Sequence, residues 1–425
     1  MTSRWPPLTP DVLRRALMEE PPAGLADLAI DDLMVAVART PQRGAARLAW
    51  PWTPATPGLA SAAAPRRNGL TLLVVFAILL TLVALAAVAG AVLRPRTLLG
   101  TPGLIAFDSA GDIFVADRDG SGARQLTSDT RSDVQPTFSP DGSKLAFESL
   151  DPATRTVRLI VMDPDGTDRR EIATVPAVGR ASGPAIGWLR VAWSPDGRQL
   201  AYTAPLAGAQ QIVLVNVDGS DPHQVGDPTL EGRDASWSPD GQLLAFIGGR
   251  FDVDRGIFVM RPDGTGIRPI RPAGLDQWAR DFSAPVWAPT GQRLAFSARI
   301  DDVARIFVAD LFGAGPIDLS GSEVADEWSP VWAPDGNRLA WHRGPTNTEG
   351  RFVVAAPDGS GVSVLAPAVV GPPTWSPDGA MLIGYGLDRA TGSRDRLIVI
   401  AVPGGSAFEI GAEPGGDASW QRLAP

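Results

Sequence analysis

His223 and His342 are the only imidazoles in this chain of 425 residues, and it contains no cysteine. A serine hydrolase needs a nucleophile, an imidazole base and an orienting acid, and no Gly-x-Ser-x-Gly turn offers the first of these. Both histidines read as ordinary surface or blade-edge residues. Two separated histidines without a thiol make no zinc ligand set. The run Asp163-x-Asp165-Gly166-x-Asp168 matches the front of a calcium loop, but Thr174 stands where the bidentate glutamate belongs, and the same residues build a tight turn. The sequence therefore implies no cofactor and no resident metal. With 47 acids a glycan-cleaving carboxylate pair stays open, although no spacing singles one out.

Residues that could bind are easier to name than residues that could react. Trp188, Trp278 and Trp328 fall between repeated units, the last two in charged strings such as Asp276-Gln277-Trp278-Ala279-Arg280-Asp281. Aromatic rings placed near solvent in this way suit a protein or glycan ligand, the alternative being that each plugs a gap between units. Asp133, Asp234, Asp281, Asp326 and Asp417 each precede a repeated strand. If those strands line a channel, the acids ring its mouth and form a negative funnel for a basic peptide or cation, the alternative being capping and solvation.

The elements that must carry these residues are set by a repeat. Trp193-Ser194-Pro195-Asp196-Gly197 is one copy of a phrase whose aromatic recurs as Phe138, Trp193, Trp237, Trp287, Trp332, Trp375 and Trp420, at spacings of 55, 44, 50, 45, 43 and 45 residues. A period of ~40–50 residues with turn residues suits a four-stranded propeller blade. In the phrase, proline presets the first central dihedral, serine bonds back to the backbone and glycine closes the turn. A strand such as Leu200-Ala201-Tyr202 follows, then a third strand such as Ile212-Val213-Leu214-Val215 ending in Asp218-Gly219, a strong hairpin signal.

There are seven of these second turns against six complete first turns, the seventh aromatic standing alone in Ala418-Ser419-Trp420. The chain's two ends then complete one blade together. The expected fold is an all-β, seven-bladed propeller in which a C-terminal strand closes the first blade. The tight turns share one face, the variable loops share the other, and variation marks the second as the binding face.

These residues resemble the TolB-type family of propellers, whose blades carry the WSPDG phrase, a Leu-Ala-Phe strand and a strand ending in Asp-x-Asp-Gly and Leu-Thr. Phe138 to Ala173, Trp237 to Ile270, and Asp117-Arg118-Asp119-Gly120 with Gln125-Leu126-Thr127 carry the likeness, which covers about residues 103 to 425. It implies a fold and a scaffold; related propellers serve as protein-binding scaffolds, envelope components and non-catalytic peptidase domains.

Before the propeller lie three further segments. Residues 1–68 read as a tail of two short helices and a Pro/Ala-rich linker, carrying eight arginines and six acids. Residues 69–93 contain no charge and as a helix would be ~37 Å long, enough to cross a ~30 Å hydrocarbon core. Residues 94–102 form a linker. Arg39, Arg43 and Arg47 tip the orientation toward a cytoplasmic N-terminus, which puts the propeller outside the cytoplasmic membrane. Residues 94–425 hold 30 basic and 41 acidic groups, which argues against a nucleic-acid surface. The expectation is a membrane-anchored scaffold for a protein or envelope polymer. The alternatives are an anti-sigma-like regulator whose tail holds a cytoplasmic partner, and a glycan-active propeller enzyme.

Overall fold

The computed structural model describes residues 101–423 apart from the connecting stretches 178–188, 207, 251–254, 271–281, 312–315, 322–324, 346–349, 366–367, 388–393, 403–405 and 411–417. The expected helical tail and membrane span lie outside the described residues. Among those described, no helix is long and apolar enough to cross a membrane. Of two compact units, Met1–Ala77 and Ile78–Pro425, everything described belongs to the second.

Seven four-stranded antiparallel sheets make up this unit. Blade 4 is typical, with strands Glu231–Trp237, Leu244–Gly249, Gly256–Met260 and Arg268–Ile270. Blade 1 is assembled from both ends: Ala418–Leu423 supplies the first strand, followed by Thr101–Ser109, Asp112–Ala116 and Arg124–Gln125. Its register sets Ile105 opposite Trp420 and Phe107 opposite Ala418.

The Leu-Ala-aromatic strand explains why the blades stack. Successive side chains on a strand point to opposite faces. Leucine and the aromatic thus meet the preceding blade, while the alanine meets the following one. Leu145 and Phe147 pack with Ala106, Ile113 and Val115 of blade 1, whereas Ala146 packs with Leu200 and Tyr202 of blade 3. One such apolar cluster fills each of the seven seams, the last joining Ile383 and Tyr385 of blade 7 to Ile105 and Phe107 of blade 1. The ring is therefore closed, and each buried aromatic contributes about 1.5–3 kcal/mol to it.

Turn chemistry holds one face constant. The Ser194 hydroxyl donates to Asp196 at 2.6 Å and accepts the Gln199 amide at 2.9 Å, and Gly197 N–H returns to the Ser194 carbonyl at 2.9 Å. Blades 5 and 6 carry Ala288 and Ala333 in place of the serine, yet Gly291 and Gly336 make the same backbone return at 2.8 and 2.9 Å. Proline and glycine are thus enough to set the turn, and serine adds to it. Four blade tryptophans also latch their neighbours: the indoles of Trp193, Trp287, Trp332 and Trp375 donate to the carbonyls of Thr137, Ser236, Val286 and Val331 at 3.1–3.3 Å. Each acceptor is the residue just before the preceding blade's aromatic.

The chain enters the propeller on this turn face. Thr101 pairs with Leu423, and Gln421 Nε2 donates to the Gly142 carbonyl, in the blade 2 turn, at 2.9 Å. A Cβ at Gly142 would lie 2.4 Å from the Arg422 carbonyl oxygen, and its φ of +73° also favours glycine.

Candidate functional site

On the opposite face the first strands are distorted in a recurrent way. The register slips between Val134 and Thr137, between Arg233 and Ser236, and between Trp328 and Val331. Three residues before the blade aromatic, Gln135, Arg190, Asp234 and Ser329 take left-handed φ values of 55°, 51°, 55° and 54°. Bulges of this kind re-aim neighbouring side chains and occur beside functional sites.

The preceding blade holds the bulge in place. Arg190 N–H donates to Glu148 Oε1 at 3.0 Å, and Asp234 N–H to Thr203 Oγ1 at 3.2 Å. Glu148 and Thr203 directly follow the Leu-Ala-aromatic triplet, on the face turned to the next blade. Polar residues occupy the same buried position in blades 1, 5 and 6, as Asp108, Ser297 and His342. The polar residue that follows the triplet in five of the seven blades was the sequence signal for this latch, and sequence reasoning missed it.

His342 thus turns out not to be a surface or blade-edge residue. It is 4 % exposed, and its Nε2 lies 3.1 Å from the Val369 carbonyl at the start of blade 7. Burial holds its pKa below the usual histidine value, against the opposing pull of that carbonyl. Neutral imidazole then donates from Nε2. His223 lies on the outer strand of blade 3, its Nδ1 2.9 Å from the Asp221 carbonyl. The two imidazoles sit in different blades and on different strand types.

Arginine–carboxylate pairs flank the starts of several first strands. Asp133 is fully buried and takes Arg169 Nη2 at 3.3 Å, while the same guanidinium reaches Asp129 at 3.3 Å and stacks over Phe147. Burial raises the Asp133 carboxyl above the ordinary range, opposed by the Ser149 hydroxyl and then by Arg169. By geometry, however, Asp133 Oδ1 and Ser149 Oγ make no hydrogen bond. Asp234 is paired with Arg233 and lies 3.5 Å from Arg190 of blade 3. Arg343 Nε meets the fully buried Glu327 at 2.6 Å. Asp326 accepts the Ala304 amide at 2.9 Å and lies 3.4 Å from Arg299, whose guanidinium stacks 4.9 Å above the Trp328 ring.

The sequence-derived set is therefore partly brought together. Asp326 and Trp328 share Arg299, and the half-buried Trp328 keeps its indole nitrogen buried without a hydrogen-bond partner. Asp133 and Asp234 belong to blades 2 and 4. Trp188, Trp278, Asp281 and Asp417 lie outside the described residues. Of the acids expected to form a negative funnel, Asp133, Asp234 and Asp326 each have an arginine beside them. The calcium-like run is also occupied, since Lys144 Nζ sits 2.7 Å from Asp163 and 3.0 Å from Asp168.

Comparison with known proteins agrees with this architecture. Residues 108–281 and 151–423 match the model of the TolB beta propeller domain. Dipeptidyl-peptidase 5 of Porphyromonas endodontalis is 35% identical over 94 residues, 22% of this chain and 12% of that protein, so the match spans about an eighth of that relative. Among solved structures, TolB from Acinetobacter baumannii superposes with a TM-score of 0.50 at 16% identity, covering 76% of this chain and 80% of its own. An oligogalacturonate lyase in complex with manganese gives 0.52 at 17%, covering 73% and 85%. A prolyl endopeptidase gives 0.52 at 15%, covering 78% and 52%. At such identities these likenesses speak for the fold alone. The repeated turn phrase, the seven closed seams and a family match running through nearly the whole propeller lead to one conclusion: the chain belongs to the TolB β-propeller domain family.

Proposed function

We propose that this propeller is a membrane-tethered, extracytoplasmic binding scaffold that engages a protein or envelope polymer through the face opposite the WSPDG turns. The observation that carries this is where the chain enters. Thr101 joins the ring on the turn face, beside Leu423. Only residues 94–100 separate it from the uncharged run 69–93, a reach of at most ~25 Å. If residues 69–93 span the bilayer, entry on the turn face leaves the opposite, arginine–carboxylate face free for a partner. That face has the makings of a recognition surface: a half-buried tryptophan, a stacked arginine and rim charges of both signs.

In-cell photo-crosslinking of the full chain tests this. Arg299→Ala with Trp328→Ala should lower partner yield about tenfold or more, as loss of a hot spot does. Asp263→Ala, on a turn, should leave it unchanged. Yield lost from the turn variant and kept in the mouth variant would overturn the assignment of faces. A soluble partner recovered through residues 1–68 alone would favour the anti-sigma-like regulator.

A further inference from the structure

One cavity of about 270 Å³ opens on the turn face, lined by Phe138, Pro140, Pro334, Trp375, Pro377 and Trp420 together with Ser139, Thr374, Ser419 and Arg422. It sits where the indole latch fails. Phe138 has no N–H to give, and Trp420 Nε1 is buried without a partner in a residue only 6 % exposed. By analogy with the four latched blades, the Trp420 indole should face the residue before Trp375. That residue is Thr374, which also lines the cavity. Trp237 Nε1 likewise lacks an acceptor.

We propose that Thr97-Leu98-Leu99-Gly100 of this same chain docks in the cavity and seals the closing seam. Three properties select this occupant. The volume lies just under the ~300 Å³ at which small-molecule pockets begin, which suits a few side chains. Proline and aromatic walls favour apolar side chains, while the single orphaned indole N–H calls for one backbone carbonyl; a Leu-Leu segment supplies both. Proximity then decides. Leu99 stands two residues before Thr101, a reach of ~7 Å, and Thr101 pairs with Leu423, the neighbour of cavity-lining Arg422. Leu423 itself is 42 % exposed, a large apolar side chain left uncovered at the rim. With the turn face plugged by its own linker, the tether and the closing blade become one mechanical unit. This holds whether or not residues 69–93 cross a membrane.

The chain has no native cysteine, so engineered pairs report alone. In the full-length protein, Leu99→Cys or Leu98→Cys combined with Thr374→Cys should form a disulfide about tenfold faster than Leu99→Cys with Ser238→Cys, the turn serine of blade 4. Bridging requires Cα atoms within ~7 Å, and tenfold corresponds to about 1.4 kcal/mol of docking. Independently, Thr374→Cys alone should be alkylated slowly, and about tenfold faster once Leu98→Asn and Leu99→Asn are added, with tryptophan fluorescence reporting that the propeller stays folded. Disulfide rates equal to the blade 4 control, or alkylation unaffected by the linker substitutions, would mean that water or an external peptide fills the cavity and would overturn the proposal.

Discussion

Glu327 and Arg343 face each other across the first two strands of blade 6, with the glutamate side chain fully buried and the arginine side chain 18 % exposed. Arg343→Met keeps most of the aliphatic volume but strands a carboxylate that water cannot reach. Breaking a buried pair on one side costs about 3–5 kcal/mol, and the partial exposure of Arg343 argues for the lower end. For a domain this large, ~3 kcal/mol corresponds to a fall of roughly 6 °C in Tm. Removing both partners should largely repair the damage, because a well-packed apolar pair often replaces a buried ion pair at little cost. Glu327→Leu with Arg343→Met is therefore expected within about 1 kcal/mol of the parent. Thermal unfolding of the full chain followed by tryptophan fluorescence reads all three proteins. If the double variant melts as low as Arg343→Met alone, the loss lies in Arg343's other contacts and the stranded-charge account is refuted.

Two further outcomes follow from the inter-blade latches. Because burial depresses the His342 pKa, the unfolded chain takes up a proton near the ordinary value of 6.5 that the folded chain refuses. Stability is then full above about 6.5 and declines as pH falls; His342→Gln, which keeps a donor for the Val369 carbonyl, should flatten that decline when melting at pH 7.5 and pH 5 is compared. Thr203→Val preserves shape but removes the acceptor for the bulged Asp234 amide. A cost of about 1–3 kcal/mol and faster hydrogen exchange at Asp234 are expected, and unchanged exchange would mean that the bulge is held by other means.

Blade number was legible because turns are local. Asp119-Gly120 through Gly404-Gly405 mark seven outer hairpins, and Trp420 supplies the first strand that blade 1 otherwise lacks. Position within the strands was legible too, since period-2 alternation separates Leu145 and Phe147 from Ala146. What was not legible was the side-chain pairing that folding creates between distant strands. His342 looks like a strand-end polar residue until blade 7 is placed over it. The acids before the first strands look like a bare negative ring, yet Arg169 lies 36 residues from Asp133, Arg190 lies 44 from Asp234, and Arg299 lies 27 from Asp326. Arg169 meets Asp133 only once the four strands of blade 2 are paired, and Arg190 and Arg299 meet their acids only once the next blade stacks on theirs. The left-handed bulges were hidden for another reason: Gln135, Arg190, Asp234 and Ser329 include no glycine, so the strain leaves no local composition signal.

The two faces of the ring are fixed by different bonds, and this separates scaffold from recognition. On the turn face, indole N–H groups reach backbone carbonyls of the preceding blade, an interaction that survives side-chain change in the acceptor residue. On the opposite face, side chains such as Glu148 and Thr203 hold backbone amides of the following blade, so the side chain chosen there decides how the bulge is seated. The bulged residue in turn aims the charges of the mouth: Asp234 sits at a left-handed φ of 55° and is thereby set between Arg233 and Arg190. Substituting Glu148 or Thr203 therefore alters how the next blade's bulge is seated without touching the Ser-Pro-Asp-Gly turns that build the blades. The residue that follows the triplet is buried and polar in five of the seven blades, as Asp108, Glu148, Thr203, Ser297 and His342, so it can vary from seam to seam while the Pro-x-Gly turn that builds blades 2 to 7 stays the same.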